Sequence, residues 1–382
     1  CTSLTNPRIE NWDVSRVTSF INTFNGCTNL NVDLSKWDVS SGIFFNAMFR
    51  NCKVFNANLN GWKFGAGVDS IVSMFYGAIS FNQPVNNWGQ YFKNIGSYAG
   101  VFQNALSFDQ DLDSWFTPEH NVINIDRILQ CTYGIADANN RASYTRRSIA
   151  NWDVSRIQSA YAAFSNQQFL DFDASNWNLE NLQDGRYLFQ FCYNFTGSPE
   201  GEAGLTNLKL PNLTDSSYMF RDTLINSNVS GWFKDDLGNP AISLINATGM
   251  FYNCAQFQGI GLSEWNTAII QNMNKMFYGC ESLIADLSSW DVSGVGSGNS
   301  NGTMEYMFFN TLINFDFTNW DFSNVKSIVG MFLNCSSLGI NGVDNNLKKL
   351  LDPNAIGHVD FNVITNLYRL FEGALYFNED LS

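Results

Sequence analysis

The residues of this 382-residue sequence that could do chemistry are its eight cysteines, its two histidines and two recurring series of carboxylates. An even cysteine count invites disulfides. Spacing points elsewhere. Cys27, Cys52, Cys192, Cys254, Cys280 and Cys335 each stand three residues after a Phe, and Cys131 stands three after Ile128. Where Cys is missing from this slot, Ala78, Ala105, Ala374, Thr223 or Thr311 fills it. A slot shared by Cys, Ala and Thr is a tight packing site, where a free thiol behaves as a small apolar residue. The expectation is a buried thiol ladder. The pairs Cys27–Cys52 and Cys254–Cys280 keep a disulfide reading open. Cys1 opens the same C-x-x-L pattern as Cys27 to Leu30, so it reads as a ladder residue, with a lipidated N-terminal Cys as the rival.

The other candidates are weaker. His120 and His358 fall in irregular stretches, so a Ser-His-Asp or Cys-His arrangement has little to draw on. No C-x-x-C and no phosphate-binding glycine motif is present, and Gly294 to Gly298 reads as a flexible loop. No catalytic residue, cofactor or metal is therefore assigned. Asp13, Asp38, Asp153, Asp291 and Asp321 directly follow a Trp, while Asp33, Asp111, Asp173, Asp286 and Asp316 precede one by four. Stacked in rows, such carboxylates could share Ca²⁺. They could equally cap turns by accepting backbone N–H groups. Lys63, Gly89, Phe116 and Lys209 interrupt the first series, which favours capping.

These slots all follow one frame. Tryptophan recurs at 12, 37, 62, 88, 115, 152, 177, 232, 265, 290 and 320, with Leu208 and Val359 in the same slot of two further units. A Phe, often preceded by Met, follows most tryptophans by about twelve residues. Trp12, Trp37, Trp62, Trp152, Trp177, Trp290 and Trp320 are thus assigned, with the six frame cysteines above, to structural ladders. Within a unit, Val17, Phe20, Phe24 and Cys27 have helical spacing, and Ser15, Ser40, Ser155, Ser293 and Ser323 read as N-caps. Val32, Leu34, Trp37 and Val39 read as a short extended segment. One strand and one helix per unit of about 25 residues predicts an α/β solenoid, a right-handed stack of leucine-rich-repeat-like coils with a parallel sheet. The whole of 1–382 reads as a single solenoid of about thirteen repeats.

The string M-F-x-x-C-x-x-F-N-x-D-L-S-x-W-D-V-S resembles the BspA-like, mycoplasma-lipoprotein-type leucine-rich repeat. It appears here as Met48-Phe49-Arg50-Asn51-Cys52-Lys53-Val54-Phe55-Asn56 and as Asp286-Leu287-Ser288-Ser289-Trp290-Asp291-Val292-Ser293. The resemblance covers essentially the whole chain and implies a surface protein of bacteria, protists or large viruses. It also implies adhesion to host or matrix proteins. It fixes a fold better than a ligand.

Composition narrows the partners. A net charge of -14 argues against nucleic acid and anionic membrane surfaces. No stretch approaches the roughly 18 apolar residues of a membrane helix. Insertions fall near 136–148, 197–206, 233–246, 294–303 and 339–358, and the first carries a basic patch, Arg141, Arg146 and Arg147, a candidate interaction loop. Neither end shows a polar cap, which suits a segment of a longer array or copies stacked end to end. The expected function is an extracellular or particle-surface adhesion or scaffold protein that binds proteins or glycans through a solenoid face. The alternative is a structural subunit of a filament or surface layer.

Overall fold

In the computed structural model of the chain, Ser15 to Cys27 is a string of tight turns rather than the helix its spacing predicts. The structure describes residues 8–131, 147–197, 204–234, 238–239, 243–297, 302–340, 347, 352 and 357–378. Thr23, Asn25 and Cys27 donate their backbone N–H groups three residues back, to the carbonyls of Phe20, Asn22 and Phe24. Asn22 and Gly26 sit at the third position of their turns with φ of 57° and 75°, the left-handed geometry of a type II turn. The intervening N–H groups of Phe20, Asn22, Phe24 and Gly26 donate to Phe44, Asn46, Met48 and Arg50 of the next coil, at 2.7, 3.0, 2.9 and 2.8 Å. Both sets of donors are thereby satisfied.

The arrangement recurs. Ala47 and Asn51, Ser73 and Gly77, Gly249 and Asn253, Lys275 and Gly279, and Gly330 and Asn334 are pairs of positive-φ residues four apart. Such a pair interrupts any α-helix. The turn string nevertheless points residues such as Phe20, Phe24 and Cys27 inward, so it imitates helical periodicity.

The parallel contacts, too, fall in the half whose spacing predicts a helix. Isolated parallel bridges join Ser19 to Phe44 and Phe44 to Ser70, and Asp215 to Asn246 and Asn246 to Asn272. The parallel ladder therefore runs through the Met-Phe half. In the other half, Val32 to Val39 is not extended: Asp33 Oδ1 accepts Ser35 N–H at 2.8 Å and Leu34 C=O accepts Trp37 N–H at 3.0 Å. A chain held by two such bonds within five residues turns and cannot run straight. Equivalent Trp-half segments form the 3-10 helices η1 (Asn86–Tyr91), η2 (Asp113–Trp115), η3 (Arg147–Asn151), η4 (Gly204–Asn207) and η5 (Leu262–Glu264), the five helices among the described residues. The serines read as N-caps instead donate backbone N–H to the preceding aspartate, as Ser40 does to Asp38 at 3.0 Å.

The chain divides into two compact units, Cys1–Leu179 with Phe191–Asn194, and Glu180–Gln190 with Phe195–Ser382. Each is built on the same columns. In the first, Trp62, Trp88 and Trp115 stack at 6.1 and 6.5 Å, and Phe49, Phe75 and Phe102 at 5.5 and 5.7 Å. In the second, Trp265, Trp290 and Trp320 stack at 6.3 and 6.4 Å, and Phe220, Phe251, Phe277 and Phe308 at 5.9, 5.8 and 6.0 Å. Each such pair adds about 0.5–1.5 kcal/mol beyond its burial. Asparagine forms a ladder too. Asn31 accepts Asn56 N–H, Asn56 accepts Asn82 N–H and Asn82 accepts Asp109 N–H, at 2.9–3.0 Å. Much of the asparagine is therefore structural as well as solubilising.

Candidate interaction surface

Most frame residues lie inside, and most of their polar atoms are committed there. Trp37, Trp62, Trp177, Trp290 and Trp320 donate indole N–H to carbonyls one coil back, those of Ile9, Leu34, Ile149, Leu262 and Leu287, at 2.8–3.0 Å. Trp152 donates instead to Asp113 Oδ1 at 3.2 Å. Trp12 stacks on Trp37 at 6.5 Å, yet its ring is 59% exposed.

Cys27 is a buried free thiol. Cys52, Cys192, Cys254, Cys280 and Cys335 are also buried and free, and donate to the carbonyls of Phe24, Phe164, Phe220, Phe251 and Phe308 at 2.9–3.1 Å. Burial pushes the Cys52, Cys254 and Cys335 thiols up to about 12, and raises those of Cys192 and Cys280 as well. Such thiols are poor nucleophiles. Cys1 lies outside the described residues.

The carboxylate series cap turns. Asp13, Asp153, Asp291 and Asp321 accept the N–H two residues on, and so do Asp111, Asp173, Asp286 and Asp316, at 2.8–3.0 Å. The bonds from Ser15 hold Asp13 below its usual carboxylate pKa, and Ser35 and Ser40 do the same for Asp33 and Asp38. Among the described residues no three His, Cys, Asp or Glu side chains stand together as metal ligands. His120 is buried, with Nε2 2.9 Å from the Gly89 carbonyl and Nδ1 2.8 Å from Thr117 Oγ1, so it ties two loops together. Arg141 and Arg146 lie outside the described residues, and Arg147 begins η3.

The feature that faces solvent is one the sequence frame does not reveal. In the second unit, the left-handed residue of the first turn and the residue after the frame Phe both point away from the core. Tyr187, Tyr218, Tyr306 hold the first position, and Tyr252, Tyr278, Phe309 the second; all are half-buried. Tyr187 stacks on Tyr218 at 5.6 Å, and Tyr218 meets Tyr252 at 6.1 Å. Tyr252 stacks on Tyr278 at 4.4 Å with planes 1° apart, Tyr278 on Phe309 at 4.3 Å, and Tyr306 meets Tyr278 edge-on at 6.4 Å.

The result is a continuous aromatic stripe across successive coils. Glycine makes room for it. A Cβ at Gly249 would stand 2.4 Å from the Tyr218 ring, and one at Gly330 2.4 Å from the Tyr306 ring. Arg221 lies 4.7 Å over Tyr252 and 5.4 Å over Tyr218 while pairing with Asp222 at 3.0 Å. Lys275 lies 5.9 Å over Tyr306. The sequence signal was a Tyr or Phe flanking the Met-Phe pair, as in Met250-Phe251-Tyr252, Met276-Phe277-Tyr278 and Tyr306-Met307-Phe308-Phe309.

Comparison with known proteins finds one family and several distant solved structures. A family described as "Mycoplasma protein of unknown function, DUF285" matches residues 1–115, 66–138, 132–232 and 245–356. No curated protein matches the sequence. Among solved structures, a leucine rich cell surface protein of Faecalibacterium prausnitzii A2-165 is 15% identical, with 83% of this chain and 74% of that chain covered and a TM-score of 0.36. An internalin of Listeria monocytogenes is 11% identical, with 89% and 80% covered and a TM-score of 0.19. No helix among the described residues is long and apolar enough to cross a membrane. The family match covers most of the chain, which belongs to this DUF285 family.

Proposed function

We propose that this chain is an extracellular or particle-surface protein that binds proteins or glycans through the solvent face of its solenoid, as an adhesin or scaffold and not as an enzyme. The observation that carries this reading is the stacked aromatic stripe from Tyr187 to Phe309. Rigid aromatic rings with polar tips give large contact area at low entropic cost, and Tyr and Arg dominate binding hot spots. The core columns, by contrast, spend their donors and thiols internally, which leaves them no chemistry to offer a substrate. The same frame in both units supports reading 1–382 as one array of about thirteen repeats.

The test is binding of the purified chain to host cells, matrix proteins and a glycan array, with localisation in its native source. Saturable binding and a surface location are expected. A chain that bound none of these and occurred only in cytosol would sink the reading.

The rival is a subunit stacking end to end into a filament or surface layer. Sedimentation at high concentration decides it: a strict monomer excludes the filament.

A further inference from the structure

We propose that Asn60 is a self-modification site, where the side-chain amide is lost to attack by the backbone nitrogen of Gly61 and the asparagine becomes aspartate or isoaspartate. This is independent of the surface-binding reading above.

Asparagine is among the thermally labile residues. It is most labile before glycine, whose missing side chain leaves the backbone nitrogen unhindered. Among the described residues two such pairs occur, Asn25-Gly26 and Asn60-Gly61. Asn301 and Asn341 also precede glycine but lie outside the described residues.

The fold treats the two pairs differently. At the first, both reacting groups are held. The Gly26 N–H donates to the Arg50 carbonyl of the next coil at 2.8 Å, and the Asn25 side-chain amide donates to Asn22 Oδ1 at 2.9 Å. At the second, neither is held. Asn60 and Gly61 are exposed and form the middle of the turn that the Trp62 N–H closes on the Leu59 carbonyl at 3.0 Å. That turn engages only the main chain of Asn60. Its N–H donates to Asn58 Oδ1 at 2.8 Å, and its carbonyl accepts Asn87 Nδ2 at 2.7 Å. Among the described residues the Gly61 N–H and the Asn60 side-chain amide have no hydrogen-bond partner.

The step needs only water. The Gly61 nitrogen loses its proton to solvent and attacks Asn60 Cγ. The N–Cγ bond forms, the Cγ–Nδ2 bond breaks, and ammonia leaves with a proton from solvent. Water then opens the resulting succinimide. Breaking the N–Cγ bond gives aspartate. Breaking the bond from that nitrogen to the Asn60 main-chain carbonyl gives isoaspartate, whose chain runs on through Cβ and Cγ. Either product adds negative charge to a chain already at -14. Isoaspartate also lengthens the main chain inside the turn next to Trp62, whose indole reaches the Leu34 carbonyl at 2.9 Å.

The experiment incubates the full folded chain at mildly alkaline pH for days, then maps peptides for isoaspartate and for the mass gain of amide turned to acid. Conversion at Asn60 is expected to run roughly tenfold or more ahead of conversion at Asn25. The gap is expected to close in denaturant, where neither pair is held. Gly61→Ala is expected to slow conversion at Asn60 by roughly tenfold or more. That variant should fold normally, because a Cβ at Gly61 meets nothing within 4 Å and Lys36 fills the same slot one coil back. An unchanged Tm checks it.

Equal conversion of Asn25 and Asn60 in the folded chain would overturn the proposal. So would a gap that persisted in denaturant, since it would then come from flanking sequence and not from the fold. Gly61→Ala converting as fast as the parent would remove the Gly61 nitrogen from the reaction.

Discussion

The indole N–H of Trp37 donates at 3.0 Å to the carbonyl oxygen of Ile9, the same oxygen that receives the backbone N–H of Trp12. The relation repeats along the chain. Leu34 C=O takes Trp37 N–H and the Trp62 indole, and Leu262 C=O takes Trp265 N–H and the Trp290 indole. Trp37, Trp62 and Trp290 thus each close their own turn through the backbone and fasten themselves to the preceding coil through the ring. A phenylalanine could fill the column, but it has no donor to reach back with.

Trp88 lacks this bond, and that makes a controlled comparison. Its indole N–H is buried without a partner. Trp62→Phe removes both ring volume and a 2.9 Å hydrogen bond, whereas Trp88→Phe removes ring volume and an unsatisfied donor. Trp62→Phe is expected to cost at least about 1 kcal/mol more than Trp88→Phe. Urea denaturation of the two variants measures the difference. Equal costs would mean that the indole bond contributes nothing net.

The repeat was legible in the sequence because its Trp, Phe and Cys slots each become one column of stacked side chains. The local structure was not. Phe20, Phe24 and Cys27 point inward from a turn string with nearly the spacing of a helix, and spacing alone cannot separate the two. The discriminating signal was the Gly or Asn found at Gly26, Asn51, Gly77 and Asn104, where φ is positive. The tyrosine stripe was missed for a different reason. Solvent-facing positions are not held to one residue type by packing, so Tyr218, Tyr252 and Tyr278 stand at frame positions that other coils fill with Arg50, Gln103 or Gly249. The turn-capping role of the aspartates was readable, because an Asp two residues before a Ser or Thr is a local device that needs no tertiary partner.

The thiol ladder predicts an alkaline limit to stability. Folding raises the Cys52 pKa from 9.0 to about 12 through burial, so the folded state holds that proton more tightly than the unfolded chain does. Stability from this group is full below pH 9.0 and drains away as pH climbs toward about 12. Cys254 and Cys335 act in the same window. Thermal melts from pH 8 upward should show a falling Tm, with a shallower fall in Cys52→Ala. An unchanged slope in that variant would remove the thiol from the explanation.

The aspartate series predicts indifference to calcium. Asp291 Oδ1 accepts Ser293 N–H at 3.0 Å and Ser293 Oγ–H at 2.6 Å, so its oxygen is already engaged in a turn. Asp291→Asn keeps an acceptor there and should be nearly neutral, while Asp291→Ala should cost roughly 0.5–1.5 kcal/mol. Melts in Ca²⁺ and in chelator should superimpose. A calcium-dependent rise in Tm that vanished in the Asp variants would restore the cation-row reading.

Ring placement in the stripe depends on glycines that leave room for it, and this can be separated from backbone strain. Gly26 and Gly249 both have positive φ, at 75° and 56°. A Cβ at Gly26 would meet nothing within 4 Å, whereas one at Gly249 would stand 2.4 Å from Tyr218 Cε1. Gly26→Ala should therefore cost only the left-handed penalty, about 1–2 kcal/mol. Gly249→Ala should cost about 1–3 kcal/mol more, because the Tyr218 ring must move off Tyr187 and Arg221. The excess should disappear when Gly249→Ala is combined with Tyr218→Ala, and near-ultraviolet dichroism should change for Gly249→Ala but not for Gly26→Ala. Additive costs in that double-mutant cycle would mean that the ring and the glycine are not in contact, and that something else positions the stripe.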